Sequence, residues 1–169
     1  MDGGFALGGA IQDSTGNSDG LLYKFDANGD TLWTKQFGLS FWEAFYQCKQ
    51  TSDSGFILIG TKDIFGNGND NIWLLKTDKN GNTKWEKTYG GGGIEYGYSV
   101  ELCYDGGYIL AGYTTSYGAG GSDTYIIKTD SVGNTKWSKT YGNIYDDCYP
   151  VIYPLPDGNY IVGSCVGKY

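Results

Sequence analysis

Phe25-Asp26-Ala27-Asn28-Gly29-Asp30-Thr31-Leu32-Trp33 decides how the chain is read, because this stretch returns twice. It reappears as Thr77-Asp78-Lys79-Asn80-Gly81-Asn82-Thr83-Lys84-Trp85 and as Thr129-Asp130-Ser131-Val132-Gly133-Asn134-Thr135-Lys136-Trp137. The tryptophans stand 52 residues apart, and so do Lys24, Lys76 and Lys128. A second marker, Asp2-Gly3-Gly4-Phe5, is echoed by Asp53-Ser54-Gly55-Phe56, Asp105-Gly106-Gly107-Tyr108 and Asp157-Gly158-Asn159-Tyr160, with the aromatics spaced 51, 52 and 52. Self-similarity at a fixed period of this size is the mark of a repeat architecture, in which each unit buries its apolar face against the next. The units run roughly 1–42, 43–94 and 95–146, with a partial unit at 147–169, all within one domain.

Each unit divides into four short apolar runs separated by turn residues. In the third unit the runs are Tyr98–Cys103, Tyr108–Thr114, Thr124–Thr129 and Thr135–Tyr141. Asn28-Gly29 and Asn80-Gly81 suit the positive φ angles of a two-residue hairpin. The third run is apolar at consecutive positions (Ile72-Trp73-Leu74-Leu75, Tyr125-Ile126-Ile127), as a strand covered on both faces requires. The fourth alternates, with Trp85, Lys87 and Tyr89 on one side, and a lysine there blunts an outer edge against stray pairing. Four antiparallel strands in about 52 residues is the spacing of a β-propeller blade. The expected fold is therefore all-β: a β-propeller-type array of four-stranded antiparallel blades, three blades plus a terminal hairpin. The chain opens and closes on the second strand of a unit, giving 13 strands.

The Asp-x-x-Gly-x-x-x-Trp element resembles, one residue shorter in its turn, the tryptophan-docking motif of quinoprotein-dehydrogenase-like propellers. The wider pattern looks like repeats common in archaeal and bacterial secreted or cell-surface proteins. The resemblance implies that Trp33, Trp85 and Trp137 dock against adjacent blades and that Gly29, Gly81 and Gly133 hold the turns. It implies no activity, because one fold hosts many functions, and the basic features of a quinone cofactor site have no counterpart here.

Composition narrows the chemistry. The 29 glycines and 3 prolines belong to a chain of many turns. All 12 basic residues are lysine, His is absent, and the net charge is −7. A phosphate backbone needs a basic footprint and base readout leans on arginine, so nucleic acid is not an expected partner. Without His there is no Ser-His-Asp triad and no imidazole shuttle. No apolar stretch approaches the ~20 residues of a membrane span, and no signal-peptide pattern opens the sequence. Cys48, Cys103, Cys148 and Cys165 lie at different phases of the repeat and include no Cys-x-x-Cys pair. They read either as small buried hydrophobes or as disulfides with three possible connectivities, and Cys148 and Cys165 flank one expected hairpin.

Candidate sites are few. Glu43, Glu95 and Asp147 recur before the first strand of successive units and either form a carboxylate ring able to hold Ca²⁺ or pin loops by accepting backbone N–H groups. The loops at 13–19 and 63–70 are oxygen-rich but lack EF-hand spacing. Trp42, Tyr96 and Tyr145 stand among further aromatics (Phe41, Phe45, Tyr46, Tyr98, Tyr113, Tyr117, Tyr149) that suit a ligand, an interface or packing between units. No nucleophile is marked and no cofactor is expected. The reading is a non-enzymatic extracellular or cell-surface scaffold whose incomplete end units either self-associate by completing blades between chains or belong to a longer propeller. The alternative is a glycan-binding lectin with one shallow site per blade.

Overall fold

A computed structural model describes residues 3–38 and 41–167; Asp2 of the first marker lies outside them. Among the described residues there is no helix, and the chain forms thirteen strands. Sheet I comprises β1 (Ala6–Gln12), β2 (Ser18–Phe25) and β3 (Thr31–Phe37). Sheet II comprises β4 (Glu43–Gln50), β5 (Phe56–Asp63), β6 (Asp70–Thr77) and β7 (Thr83–Tyr89). Sheet III comprises β8 (Glu95–Leu102), β9 (Tyr108–Thr114), β10 (Asp123–Thr129) and β11 (Thr135–Tyr141). A hairpin of β12 (Cys148–Pro154) and β13 (Tyr160–Cys165) ends the chain. Every sheet is an antiparallel meander in sequence order.

The sheets stack face to face. Leu22 of sheet I meets Phe45, Phe56, Leu58, Trp73 and Leu75 of sheet II. The other face of sheet II, with Ile57, Ile59, Ile72 and Leu74, meets Val100, Tyr108, Leu110, Tyr125 and Ile127 of sheet III. The far face of sheet III, with Ile109, Ala111 and Ile126, meets Ile152 of the hairpin. The third strands β6 and β10 are buried at every position, which explains their unbroken apolar runs. Each fully buried Ile or Leu contributes about 1.5–3 kcal/mol, so the interfaces hold the stack together.

Two local expectations need correction. The turns at Gly29, Gly81 and Gly133 are not two-residue hairpins. Each begins with the glycine N–H bonded to the Asp carbonyl three residues back and closes with the Asp N–H bonded to the carbonyl four residues on. Positive φ falls on the glycine alone, with a register shift one pair earlier, at Lys24/Phe25, Lys76/Thr77 and Lys128/Thr129. This is a type I turn followed by a left-handed residue and a bulge. Val132 can therefore precede Gly133, because the preceding residue keeps negative φ. The Asp carboxylate supports the turn: Asp26 Oδ1 accepts the N–H groups of Asn28 and Asp30 at 2.8 and 3.0 Å, and Asp78 and Asp130 repeat this.

The first strand of sheet III starts at Glu95 rather than Tyr98, because a bulge between Gly97 and Ser99 interrupts an otherwise continuous ladder. An equivalent bulge lies between Phe45 and Gln47 of β4. Opposite these bulges only glycine fits. A Cβ at Gly60 would fall 1.8 Å from the Ala44 carbonyl oxygen, and one at Gly112 2.1 Å from that of Tyr96.

Candidate functional site

The joints between sheets carry the repeated tryptophans. Trp33 meets Phe56 edge to face, centroids 5.9 Å apart. A Cβ on Gly81 would lie 2.9 Å from the Trp33 ring and 2.7 Å from Cγ of Lys35, so indole and lysine stem rest on the turn glycine of the following sheet. Trp85 repeats the arrangement with Tyr108 at 5.9 Å and with Gly133, where a Cβ would lie 2.9 Å from both Trp85 and Lys87. Hydrogen bonds finish the joints: the Tyr89 hydroxyl donates to the Gly133 carbonyl at 2.7 Å, and the Lys35 ammonium to Asn82 Oδ1 at 3.3 Å.

At the two ends the same parts stand apart. Trp137 is 41% exposed and lines a groove of about 660 Å³ with Ile109, Ile126, Tyr141, Ile152 and Tyr160. Gly29 has nothing within 4 Å of the position its Cβ would take. On the outer face of sheet I, Phe5, Leu7 and Ile11 are about half exposed, at 54%, 55% and 46%. Of the six expected docking residues, Trp33, Trp85, Gly81 and Gly133 are therefore joined, while Trp137 and Gly29 sit unmatched at opposite ends.

Glu43, Glu95 and Asp147 are all buried. Glu95 accepts the Thr114 hydroxyl at 2.7 Å and the Gly91 N–H at 2.9 Å, and Asp147 accepts the Gly167 N–H at 3.2 Å. The Gly91 bond pins the connection into β8, the Thr114 bond ties β8 to the end of β9, and the Gly167 bond ties the segment after β13 to the start of β12. Among the described residues no three His, Cys, Asp or Glu side chains gather as a metal site. The first acid of each oxygen-rich loop is also engaged: Asp13 accepts the N–H groups of Thr15 and Asn17, and Asp63 those of Phe65, Gly66 and Gly68.

The aromatics do assemble. Tyr46 and Tyr98 are the residues extruded by the bulges of β4 and β8, and Tyr149, held at φ +50°, falls within the irregularity of β12. The bulges turn them toward one another: Tyr46–Tyr98 and Tyr98–Tyr149 centroids are both 5.2 Å apart, a tyrosine ladder crossing three sheets. Tyr96 and Tyr113 stack beside it at 5.3 Å. Trp42, 42% exposed, stands beside Tyr46, and the Tyr96 hydroxyl is close enough to feel the buried Asp70 carboxylate, whose Oδ1 has no hydrogen-bond partner among the described residues. Burial pushes the Tyr46, Tyr98 and Tyr113 hydroxyls above the usual tyrosine range, and Tyr96 rises through burial and then the Asp70 carboxylate. Tyr145 is half-buried, its N–H bonded to Asn143 Oδ1 at 2.8 Å.

One repeated cluster escaped the sequence reading, although its members recur at the repeat spacing. Asp53 binds the buried Lys76 ammonium at 2.9 Å and the exposed Lys84 at 2.8 Å, and Asp105 holds Lys128 and Lys136 at the same distances. The glycine two residues after each Asp makes room, since a Cβ on Gly55 would fall 2.6 Å from the Lys76 nitrogen. Lys84, the Thr51 hydroxyl and Lys76 hold the Asp53 carboxyl well below the usual range, and Lys128 then Lys136 do so for Asp105.

Cys148 and Cys165, opposite each other in the β12–β13 ladder, form a disulfide, while Cys48 and Cys103 stay half-buried and reduced. No protein-family model and no curated protein sequence matches the chain.

Proposed function

We propose that the chain is a β-propeller-type array acting as a non-enzymatic interaction scaffold that self-associates through its end sheets. The arrangement of the sheets supports the propeller reading. First strands approach closely enough for Gln47 Oε1 to accept the Val100 N–H at 2.6 Å and for Ser99 Oγ to accept that of Ile152 at 3.3 Å. At the fourth strands the gap is wide enough to take an indole, so neighbouring sheets splay outward as blades do.

The observation that carries self-association is the pair of unmatched halves: an indole without its glycine at one end, and a glycine without its indole at the other. Partners that present different surfaces to each other give a ring when the rotation closes and a filament when it does not. Two copies would share enough strands for six sheets. An oxidising setting, outside the cell or at its surface, is where the disulfide persists. Light scattering coupled to size-exclusion chromatography tests the reading, run both with and without reductant. A multiple of 18.4 kDa in either condition supports it. A lone chain in both defeats it.

The tyrosine ladder favours a second reading, a glycan-binding face, since aromatic rings beside carboxylates hold sugars by stacking and hydrogen bonding. A glycan array gives the answer: binding lost in Trp42→Ala and Tyr96→Ala supports it, and an empty array removes it.

A further inference from the structure

Joining the hairpin to sheet I poses a counting problem. The hairpin offers the first and second strands of a unit, whereas sheet I offers the second, third and fourth. One second strand is surplus. We propose that β13 is the surplus one: β1 of a second copy takes its place beside β12, and the Cys148–Cys165 disulfide decides whether that place is open. This rests on the self-association reading and names its surface.

The internal joints supply the template. By repeat position, Phe5 corresponds to Phe56, Tyr108 and Tyr160, and Leu7 to Leu58, Leu110 and Val162. Seated beside β12, β1 would bring Phe5 to the Trp137 ring as Phe56 is brought to Trp33. The turn at Gly29 would then lie under Trp137, as Gly81 lies under Trp33 and Gly133 under Trp85. Tyr141 occupies the position of Tyr89, so its hydroxyl would reach the Gly29 carbonyl as that of Tyr89 reaches Gly133.

Charge argues for a second copy of this chain as the occupant. Lys35 meets Asn82 at the first internal joint, and the residue at the corresponding turn position in sheet III is Asn134. The turn of sheet I carries Asp30 there instead. Lys139, the counterpart of Lys35, would face Asp30 of the incoming copy, so the intermolecular joint gains an ion pair that the internal ones lack.

β13 is also the strand best suited to leave. Every residue after Tyr160 in it is exposed, whereas β1 is covalently followed by β2 and packs Gly8 against Cys48 and Phe45 of sheet II. Few buried contacts mean a low cost of local opening. The disulfide opposes that opening by tying β13 to β12 across one cross-strand pair. A dithiol reductant releases it: one thiolate attacks a sulfur of the disulfide and forms a mixed disulfide, and the second thiol displaces it. Two cysteine thiols and an oxidised, cyclic reductant result, with two electrons and two protons transferred. Cys165 is exposed and open to attack. On the incoming strand, Ala10 stands where Cys165 stood, so the joined form cannot re-form the clasp at that position.

The full chain is tested by light scattering, air-oxidised and again in dithiothreitol. Oxidised protein is expected at 18.4 kDa and reduced protein at a multiple of it, with Cys165→Ser associating without reductant. In the reduced state Trp137→Ala should weaken association at least about 30-fold, as a central indole does at interfaces. Asp30→Lys should weaken it about two- to fivefold, and adding Lys139→Asp should restore it. Equal association of oxidised and reduced protein refutes the clasp and leaves self-association standing. Reduced association indifferent to Trp137→Ala refutes the joint. Single chains in both conditions end both readings.

Discussion

Gly81 and Gly29 allow the docking of an indole to be measured against an internal control. Both glycines hold positive φ, +78° and +92°, at the same position of the same turn. Alanine in the left-handed region costs about 1–2 kcal/mol at either site. At Gly29 nothing further opposes the methyl group. At Gly81 it would lie 2.9 Å from the Trp33 ring and 2.7 Å from the Lys35 stem, so both must shift. Forcing a methyl into a packed contact adds about 1–3 kcal/mol. The difference between Gly81→Ala and Gly29→Ala is therefore about 2 kcal/mol. With a urea slope of about 2 kcal/mol per molar for a chain of this size, the midpoints should separate by about 1 M. Urea titration of the oxidised protein followed by tryptophan fluorescence reads this directly. Repeating it in a Trp33→Ala background should narrow the gap between the two penalties to what the Lys35 stem still opposes, because the double-mutant cycle removes the indole contact being tested. Equal midpoints for the two single variants would refute the claim that Trp33 is seated on Gly81.

The Asp–Lys clusters predict an acid limb. The folded pKa values of Asp53 and Asp105 lie below the unfolded value of about 3.9, so their stabilisation is complete above about pH 5 and fades as pH falls through that value. Asp53→Asn with Asp105→Asn should flatten the fall of the urea midpoint below about pH 5; an unchanged acid limb would remove these carboxylates as its source. In alkali, the phenolate absorbance of Tyr89, Tyr96 and Tyr98 should lag behind free tyrosine, whose pKa is about 10, because burial opposes the charge. A single ionisation step at the ordinary position would contradict their burial. Leu74→Ala, at a fully buried position between sheets II and III, should cost about 2–5 kcal/mol, against under about 1 kcal/mol for the exposed Leu32→Ala. Comparable losses by thermal melting would place the core elsewhere.

Much of the stack was legible in the chain because its physics is local and repeated. The interval between Trp33, Trp85 and Trp137 marks the unit, glycines mark the turns, and unbroken apolar runs such as Ile72–Leu75 mark strands covered on both faces. The order of strands and their count follow from those marks, whereas the pairing of Cys148 with Cys165 does not, because spacing leaves three connectivities and the unpaired form open and only the distance between the two decides. What escaped depends on bonds across the repeat. Asp53 lies 23 residues from Lys76 and 31 from Lys84, and nothing at either position announces the other. The tyrosine ladder escaped for a similar reason, since Tyr46 and Tyr98 meet only because bulges rotate them out of the alternating pattern.

From the sequence alone came the all-β class and the unit length, since these depend on periodicity and turn residues, while the candidate docking residues came from the resemblance of the Asp-x-x-Gly-x-x-x-Trp element. The tertiary structure decided which docking residues find partners. Trp33 and Trp85 are each covered by the sheet that follows, and among the described residues Trp137 faces only the β12–β13 hairpin and stays 41% exposed. Burial is a property of neighbours in space, and identical repeats acquire different surroundings from their place in the stack.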